Sequence, residues 1–225
     1  MRAQILTPVE PEPAVVAHRE YGRLVAEHRW RSREGVLAAA RSATAGARLS
    51  VEHARLTRDV LLDPLTGLSN RRCFDDWLVS GAARERSAAV LLIDLDGFKA
   101  VNDAHGHAVG DEALRQVALL LNQHVRPGDL ALRLDGDEFA VVLEHDEQDP
   151  VTLRRTAQDR ARTLREAVRL TDWARVAQGL EITMSVGVAA ATLGPQAPGG
   201  ADALYREADA DLYLEKRART AGDAG

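Results

Sequence analysis

The chain has a single cysteine, Cys73, only three each of Trp, Tyr and Phe, and no apolar run longer than the six residues Ala88–Ile93. A lone cysteine closes no internal disulfide, so a reducing, cytoplasmic setting is expected. Six residues fall far short of the roughly twenty that a spanning helix needs, so no membrane insertion is expected. The first residues, Met1–Pro8, lack the basic-then-apolar pattern of a secretory leader. There is no basic excess either: 29 Lys+Arg stand against 34 Asp+Glu, a formal charge of -5. Nucleic-acid binders usually carry a basic surplus, so DNA and RNA are not expected partners. What is present is ordinary for a globular protein. Hydrophobic residues make up 45% of 225, too many for a disordered chain, and the length suits one domain, or one domain with an appendage.

The charge is unevenly placed. Residues 1–60 carry 10 Arg against 7 acids, a balance of +3, and the remainder carries 19 basic against 27 acidic residues, a balance of -8. A boundary near residue 60 is therefore expected. Residues 1–13, with Pro8, Pro11 and Pro13, read as a flexible lead-in. Residues 14–60 lack proline and are rich in Ala, Arg, Leu and Glu, so they read as a helical segment for dimerisation or signalling. Leu49, Leu56 and Asp63 share one heptad phase, with His53 and Val60 on the other seam. That seam is ragged, and it fits a partner helix or a lone amphipathic one. Gly35 and the Thr44-Ala45-Gly46 stretch leave one helix or two equally open.

Beyond residue 60 the pattern changes. Ala88–Asp94 predicts a short buried strand ending in an acid. Gly110–Val125 carries a helical apolar stripe. Leu130–Leu134 and Phe139–Leu143 flank Asp135-Gly136, which predicts a hairpin whose two turn positions have positive φ. Val151–Leu170 predicts a helix, Leu180–Ala190 a strand, Leu193–Ala201 a loop and Asp202–Ala221 a closing helix. The order argues for an α/β (α+β) sandwich, one mostly antiparallel sheet with helices packed against it.

Strand alternation places Leu92, Asp94 and Asp96 on one face, opposite Leu91, Ile93 and Leu95. A carboxylate leaving a buried strand needs compensation, and a divalent cation shared with the hairpin acids Asp135, Asp137 and Glu138 would supply it. A solvated acid without a ligand fits the same spacing. Lys99, Asn102, His105, His107 and Asp111 follow the strand. An Asn amide with a carboxylate can read a purine edge, and a lysine suits a phosphate. Asp111 also fits as an ordinary first-turn helix residue. The two histidines, without cysteine partners or an H-E-x-x-H pattern, do not support zinc.

Four separated stretches resemble the GGDEF family of diguanylate cyclases. They are Asp63-Pro64-Leu65-Thr66-Gly67-Leu68-Ser69-Asn70-Arg71-Arg72, Asp94-Leu95-Asp96-Gly97-Phe98-Lys99 running on to Asn102-Asp103 and Gly106–Asp111, Arg133-Leu134-Asp135-Gly136-Asp137-Glu138-Phe139, and Ser185-Val186-Gly187-Val188-Ala189. The resemblance covers about residues 60 to 220, and it places a GGDEF domain over 61–222 with a nucleotidyl-cyclase-like, antiparallel-rich sheet. It implies condensation of two GTP into cyclic di-GMP with release of pyrophosphate, in a homodimer. By position, Asp94, the carbonyl of Leu95 and Asp137 would bind Mg²⁺ or Mn²⁺. Lys99, Asn102, Asp111 and Gly136 would hold GTP, with Asn102 and Asp111 on the guanine. Asp137, Glu138 and Lys216 would form the catalytic set. Arg126-Pro127-Gly128-Asp129 fits the family's R-x-x-D site for inhibitory cyclic di-GMP; a plain helix-to-strand turn fits it as well.

The chain departs from the family in two places. Asp135 replaces the first glycine of the signature and adds a carboxylate near the triphosphate. Thr220 stands where the family has a phosphate-binding Arg, four residues after Lys216, so Arg217 or Arg219 would have to substitute. A degenerate domain that binds GTP or cyclic di-GMP without catalysis is the alternative.

Overall fold

The computed structural model of the protein describes residues 60–81, 85–145, 149–195, 197 and 200–222. The expected lead-in and all of the helical segment before residue 60 lie outside the described residues. The elements run β1 (Ser69–Asn70), α1 (Arg71–Gly81), β2 (Arg86–Leu95), α2 (Phe98–His105), α3 (His107–His124), β3 (Leu130–Asp135), β4 (Glu138–His145), α4 (Pro150–Arg169), a 3-10 turn at Trp173–Arg175, β5 (Met184–Leu193) and α5 (Gly200–Gly222). The five strands lie in the order β1-β3-β4-β2-β5. Only the short β1–β3 pair is parallel; the other three are antiparallel. This is the expected mostly antiparallel sheet flanked by helices.

The strand β2, between β4 and β5, is buried on both faces. Ala89, Leu91, Ile93 and Leu95 pack with Leu114, Val117 and Leu121 of α3 and with Leu153, Leu164 and Val168 of α4. Ala88, Val90 and Leu92 pack on the other face with Phe74 and Trp77 of α1 and Leu204 of α5. A strand covered on both sides has to be apolar throughout, which is why the run is continuous rather than alternating. Asp94 interrupts it where the strand leaves the core.

Three expectations are corrected. First, the hairpin turn is centred one residue later than expected. Asp135 pairs with Glu138 as the last residue of β3, so Gly136 and Asp137 are the central pair. Gly136 has φ +33°, and no residue other than glycine has positive φ among the described residues. Glycine at the first central position relieves Asp135 of any left-handed strain. Second, β5 starts at Met184 rather than Leu180. Leu180 and Ile182 are buried all the same. They plug the core from an irregular segment, and their alternation mimics a strand. Third, helices α1 and α2 were not anticipated. In α1 the signal is Phe74, Trp77 and Leu78 at i, i+3 and i+4.

The Asp63–Thr66 turn is tied to β3. Asp63 Oδ1 accepts from the Thr66 N–H at 2.8 Å and the Thr66 hydroxyl at 2.6 Å, and Arg133 pairs with it at 3.1 Å. Burial pushes the Asp63 carboxyl up, but these hydrogen bonds and the guanidinium outweigh it and hold the group below the usual range. A depressed carboxylate stabilises the fold above its unfolded pKa, and that contribution is lost as the pH falls through the folded one. Asp63→Asn is expected to cost about 1–3 kcal/mol at pH 7. In denaturant melts the gap between variant and wild type should narrow below about pH 4. A gap independent of pH would contradict the assignment.

Candidate active site

The site is assembled at the end of the sheet where the β3–β4 hairpin meets the ends of β2 and β5. Asp94 lies in register with Glu138 on one side and Ser185 on the other. The Leu95 N–H donates to the Asp137 carbonyl at 3.3 Å, which brings the hairpin tip beside the strand end. Lys216, from α5, places Nζ 2.6 Å from Asp94 Oδ2. Arg219, one turn on, lies 3.0 Å from Asp96 Oδ2. Asp96 also accepts from the hydroxyls of Thr183 at 2.7 Å and Ser185 at 2.6 Å.

The electrostatics follow from this crowding. Burial pushes the Asp94 carboxyl above its ordinary value. Lys216 pulls it back, and the charges of Asp137 and Asp96 push it further up. Burial also raises Glu138, helped by Asp94 and, more weakly, Asp135 and Asp137, against the pull of Lys216. The sheet end therefore carries more negative charge than its two cations relieve. Oxygen donors from Asp94, Asp137 and the Leu95 carbonyl suit a hard divalent cation. Among the described residues no group of three or more His, Cys, Asp or Glu side chains is arranged around a common point.

Of the expected purine-reading pair, Asn102 is seated against Gly110. A Cβ there would lie 2.0 Å from Asn102 Oδ1, so the Asn102 amide rests directly on the α3 backbone one residue before Asp111. Asp111 is in the second turn of α3, not the first, so the ordinary first-turn role does not apply to it. Lys99 is exposed on the first turn of α2. Gly136 heads the hairpin turn.

Arg126 and Asp129 close a turn between α3 and β3. The Arg126 N–H donates to Asp129 Oδ2 at 3.1 Å, and the Asp129 N–H donates to the Arg126 carbonyl at 3.0 Å. The Arg126 side chain is exposed. The R-x-x-D spacing thus has a structural reason of its own. Asp135 is exposed and its Oδ1 accepts from the Gly136 N–H at 2.9 Å, which anchors the extra charge on the turn.

The profile of the family described as "Diguanylate cyclase, GGDEF domain" matches residues 60–221. The chain belongs to the GGDEF family. Its sequence is 38% identical over 176 residues to the diguanylate cyclase TpbB of Pseudomonas aeruginosa, covering 76% of this chain and 38% of that protein. It is 38% identical over 161 residues to the response regulator PleD of Caulobacter vibrioides, covering 68% of this chain and 33% of that one. The chain therefore spans about a third of the length of these relatives. Among solved structures, the coiled coil and GGDEF domain of DgcB from Caulobacter crescentus, in complex with c-di-GMP, is similar with a TM-score of 0.62 and 27% identity, over 80% of this chain and 92% of that one. A sensory box/GGDEF family protein from the same organism gives 0.52 and 34%, over 70% and 99%.

Within the GGDEF domain, both arginines that would have to stand in for the family's phosphate-binding Arg have partners in the structure. Arg219 is committed to Asp96 and to the Met184 carbonyl at 3.0 Å. Arg217 lies over the Tyr213 ring, 5.8 Å from its centroid. Sequence reading also missed a signal available by counting. Only two of the 29 basic residues are lysines, Lys99 and Lys216, and both were singled out on other grounds. No helix among the described residues is long and apolar enough to cross a membrane.

Proposed function

We propose that this GGDEF domain is an active diguanylate cyclase that joins two GTP into cyclic di-GMP and releases two pyrophosphates. The observation that carries the reading is the meeting of Asp94, Asp137 and Lys216 at one sheet end, with Asn102 seated against Gly110, the residue before Asp111. In each step a ribose 3′-oxygen attacks the α-phosphorus of the other nucleotide, a P–O bond forms, and the bond to pyrophosphate breaks. Asp94, Asp137 and the Leu95 carbonyl would hold Mg²⁺ or Mn²⁺, which neutralises charge on the phosphates when bound. Lys99 and Lys216 bind phosphate oxygens. Glu138, with its carboxyl held up, is suited to take the proton of the attacking hydroxyl. Asp111 accepts from guanine N1–H and N2–H₂, donors that adenine lacks on that edge. Each copy holds one GTP, so two copies must face each other.

The reading is tested by incubating the protein with GTP and Mg²⁺ and measuring cyclic di-GMP and pyrophosphate; absence of both at high protein concentration would sink it. Selectivity has its own check. Gly110→Ala is expected to raise KM for GTP about tenfold or more, because Asn102 must leave its seat. An unchanged KM would contradict that role for the pair. Product inhibition through Arg126 and Asp129 is part of the proposal. Arg126→Ala should weaken inhibition by cyclic di-GMP about tenfold, the worth of a charge-assisted hydrogen bond. Undiminished inhibition removes the assignment.

A second reading, a domain that binds GTP or cyclic di-GMP without turnover, is favoured by one observation. Arg217 and Arg219 are both engaged elsewhere, so the phosphates lose one cation that the family supplies.

A further inference from the structure

Among the described strands β5 is an edge of the sheet, paired on one side with β2. An edge of ten residues would leave a row of unpaired backbone groups. Here α5 supplies the partners from its side chains. The Val188 N–H donates to Asp211 Oδ2 at 2.8 Å and the Val186 N–H to Glu215 Oε1 at 3.3 Å. The Met184 carbonyl accepts from Arg219 at 3.0 Å. Arg165, from α4, closes the set by donating to the Val186 carbonyl at 3.2 Å and to Glu215 Oε2 at 2.5 Å. Four residues of helix advance about 6 Å. Two residues of strand advance about 6.7 Å. Positions 211, 215 and 219 of the helix therefore keep step with 188, 186 and 184 of the antiparallel-running strand.

The polarity of this ladder selects one register. Two carboxylates meet N–H donors and one guanidinium meets a carbonyl. A slide of one turn would part each of the three side chains from the strand group it now holds. It would also carry the residue after Glu215 about 5.4 Å along the strand. That residue is Lys216, whose ammonium sits on Asp94.

We propose that Asp211, Glu215 and Arg219 are positioning residues that fix the register of α5 on β5, so that Lys216 reaches Asp94 and the substrate phosphates. This rests on reading Lys216 as a phosphate ligand. Glu215 is the central member, since it joins the β5 edge, Arg165 and the residue next to Lys216. Displacing a phosphate ligand by an ångström or more is enough to slow transfer substantially.

The test uses the chain's two lysines. Limited acetylation, read by mass spectrometry, gives the reactivity of Lys216 relative to Lys99 in the full chain without nucleotide. Glu215→Ala is expected to raise that ratio about fivefold, as expected when a held ammonium is released. It is expected to lower kcat/KM about tenfold. Glu215→Gln, which keeps an acceptor for the Val186 N–H, should fall between the two, and circular dichroism establishes that each variant is folded. In a Lys216→Met background Glu215→Ala should cost less than about twofold more, because both act through one group. An unchanged labelling ratio in folded Glu215→Ala and Glu215→Gln overturns the proposal, as does a full further tenfold loss in the Lys216→Met background. If the wild type makes no cyclic di-GMP, the cyclase reading fails, and the labelling ratio still decides the positioning role.

Discussion

Replacing Asp94 by Asn is expected to remove cyclase activity by a factor of about a thousand while leaving the fold as stable as before, or more so. The two effects have one cause. Asp94 sits where a buried strand emerges, and burial together with Asp137 and Asp96 disfavours its charge. A carboxylate with a raised folded pKa stabilises the fold only when protonated, below its unfolded pKa. That contribution is lost as the pH rises through the folded value. At neutral pH the negative charge is therefore a cost that the amide does not carry. Lys216 loses one carboxylate partner, but its side chain is 40% exposed, so the loss costs little. Thermal melts should give wild type and Asp94→Asn similar midpoints near pH 4, with the variant equal or higher at pH 8. Turnover should be absent from the variant throughout. A variant that is both inactive and clearly less stable at pH 8 would show that Asp94 is a structural residue.

The second large effect is expected from Gly187→Ala. A Cβ at this position would lie 2.1 Å from the Ala208 carbonyl oxygen and 2.3 Å from the Leu212 nitrogen. These are backbone atoms of α5, so no side chain can turn aside to make room. The helix must move off the sheet. Forcing atoms into such a contact costs about 1–3 kcal/mol or more. The functional loss should be larger than the stability loss implies, because α5 carries Lys216 to Asp94 and Arg219 to Asp96. At a temperature where the variant remains fully folded, kcat/KM should still be down about a hundredfold, the scale of a misplaced catalytic group. Wild-type kinetics in a folded Gly187→Ala protein would mean that α5 does not position the site.

Much of the fold was legible because its signals are local. The run Ala88–Asp94 is apolar throughout, and it forms a strand covered on both faces. Asp149 and Pro150 open α4 in the way a cap and a first-turn proline should. The errors arose where tertiary packing decides. Leu180 and Ile182 alternate like a strand, but they fill the core from a loop because β5 begins only at Met184. The hairpin was recognised, yet its turn is centred on Gly136-Asp137, since a glycine can take the positive φ and an aspartate need not.

The site divides in the same way. Asp94, Asp137, Asn102 and Asp111 were read from short motifs whose members are near one another in sequence. What no local pattern could show is how α5 is held. The pairing of Asp211, Glu215 and Arg219 with the edge of β5 depends on the strand lacking an outer neighbour, and that is a property of the whole sheet. The same holds for Arg133 and Asp63, 70 residues apart and joined by one ion pair.

Asp135 is where the central claim can be pressed hardest. Its carboxylate is exposed and accepts from the Gly136 N–H on the turn, and on the proposed reading it does not block the triphosphate. Its upward push on the Glu138 carboxyl is weaker than those of burial and Asp94. The decisive measurement is the rate of cyclic di-GMP formation from GTP and Mg²⁺ by the wild type and by Asp135→Gly, side by side. The account predicts turnover in both, with the glycine variant faster by no more than about tenfold, the effect of removing one screened charge. No product from the wild type, with product restored by Asp135→Gly, would contradict it.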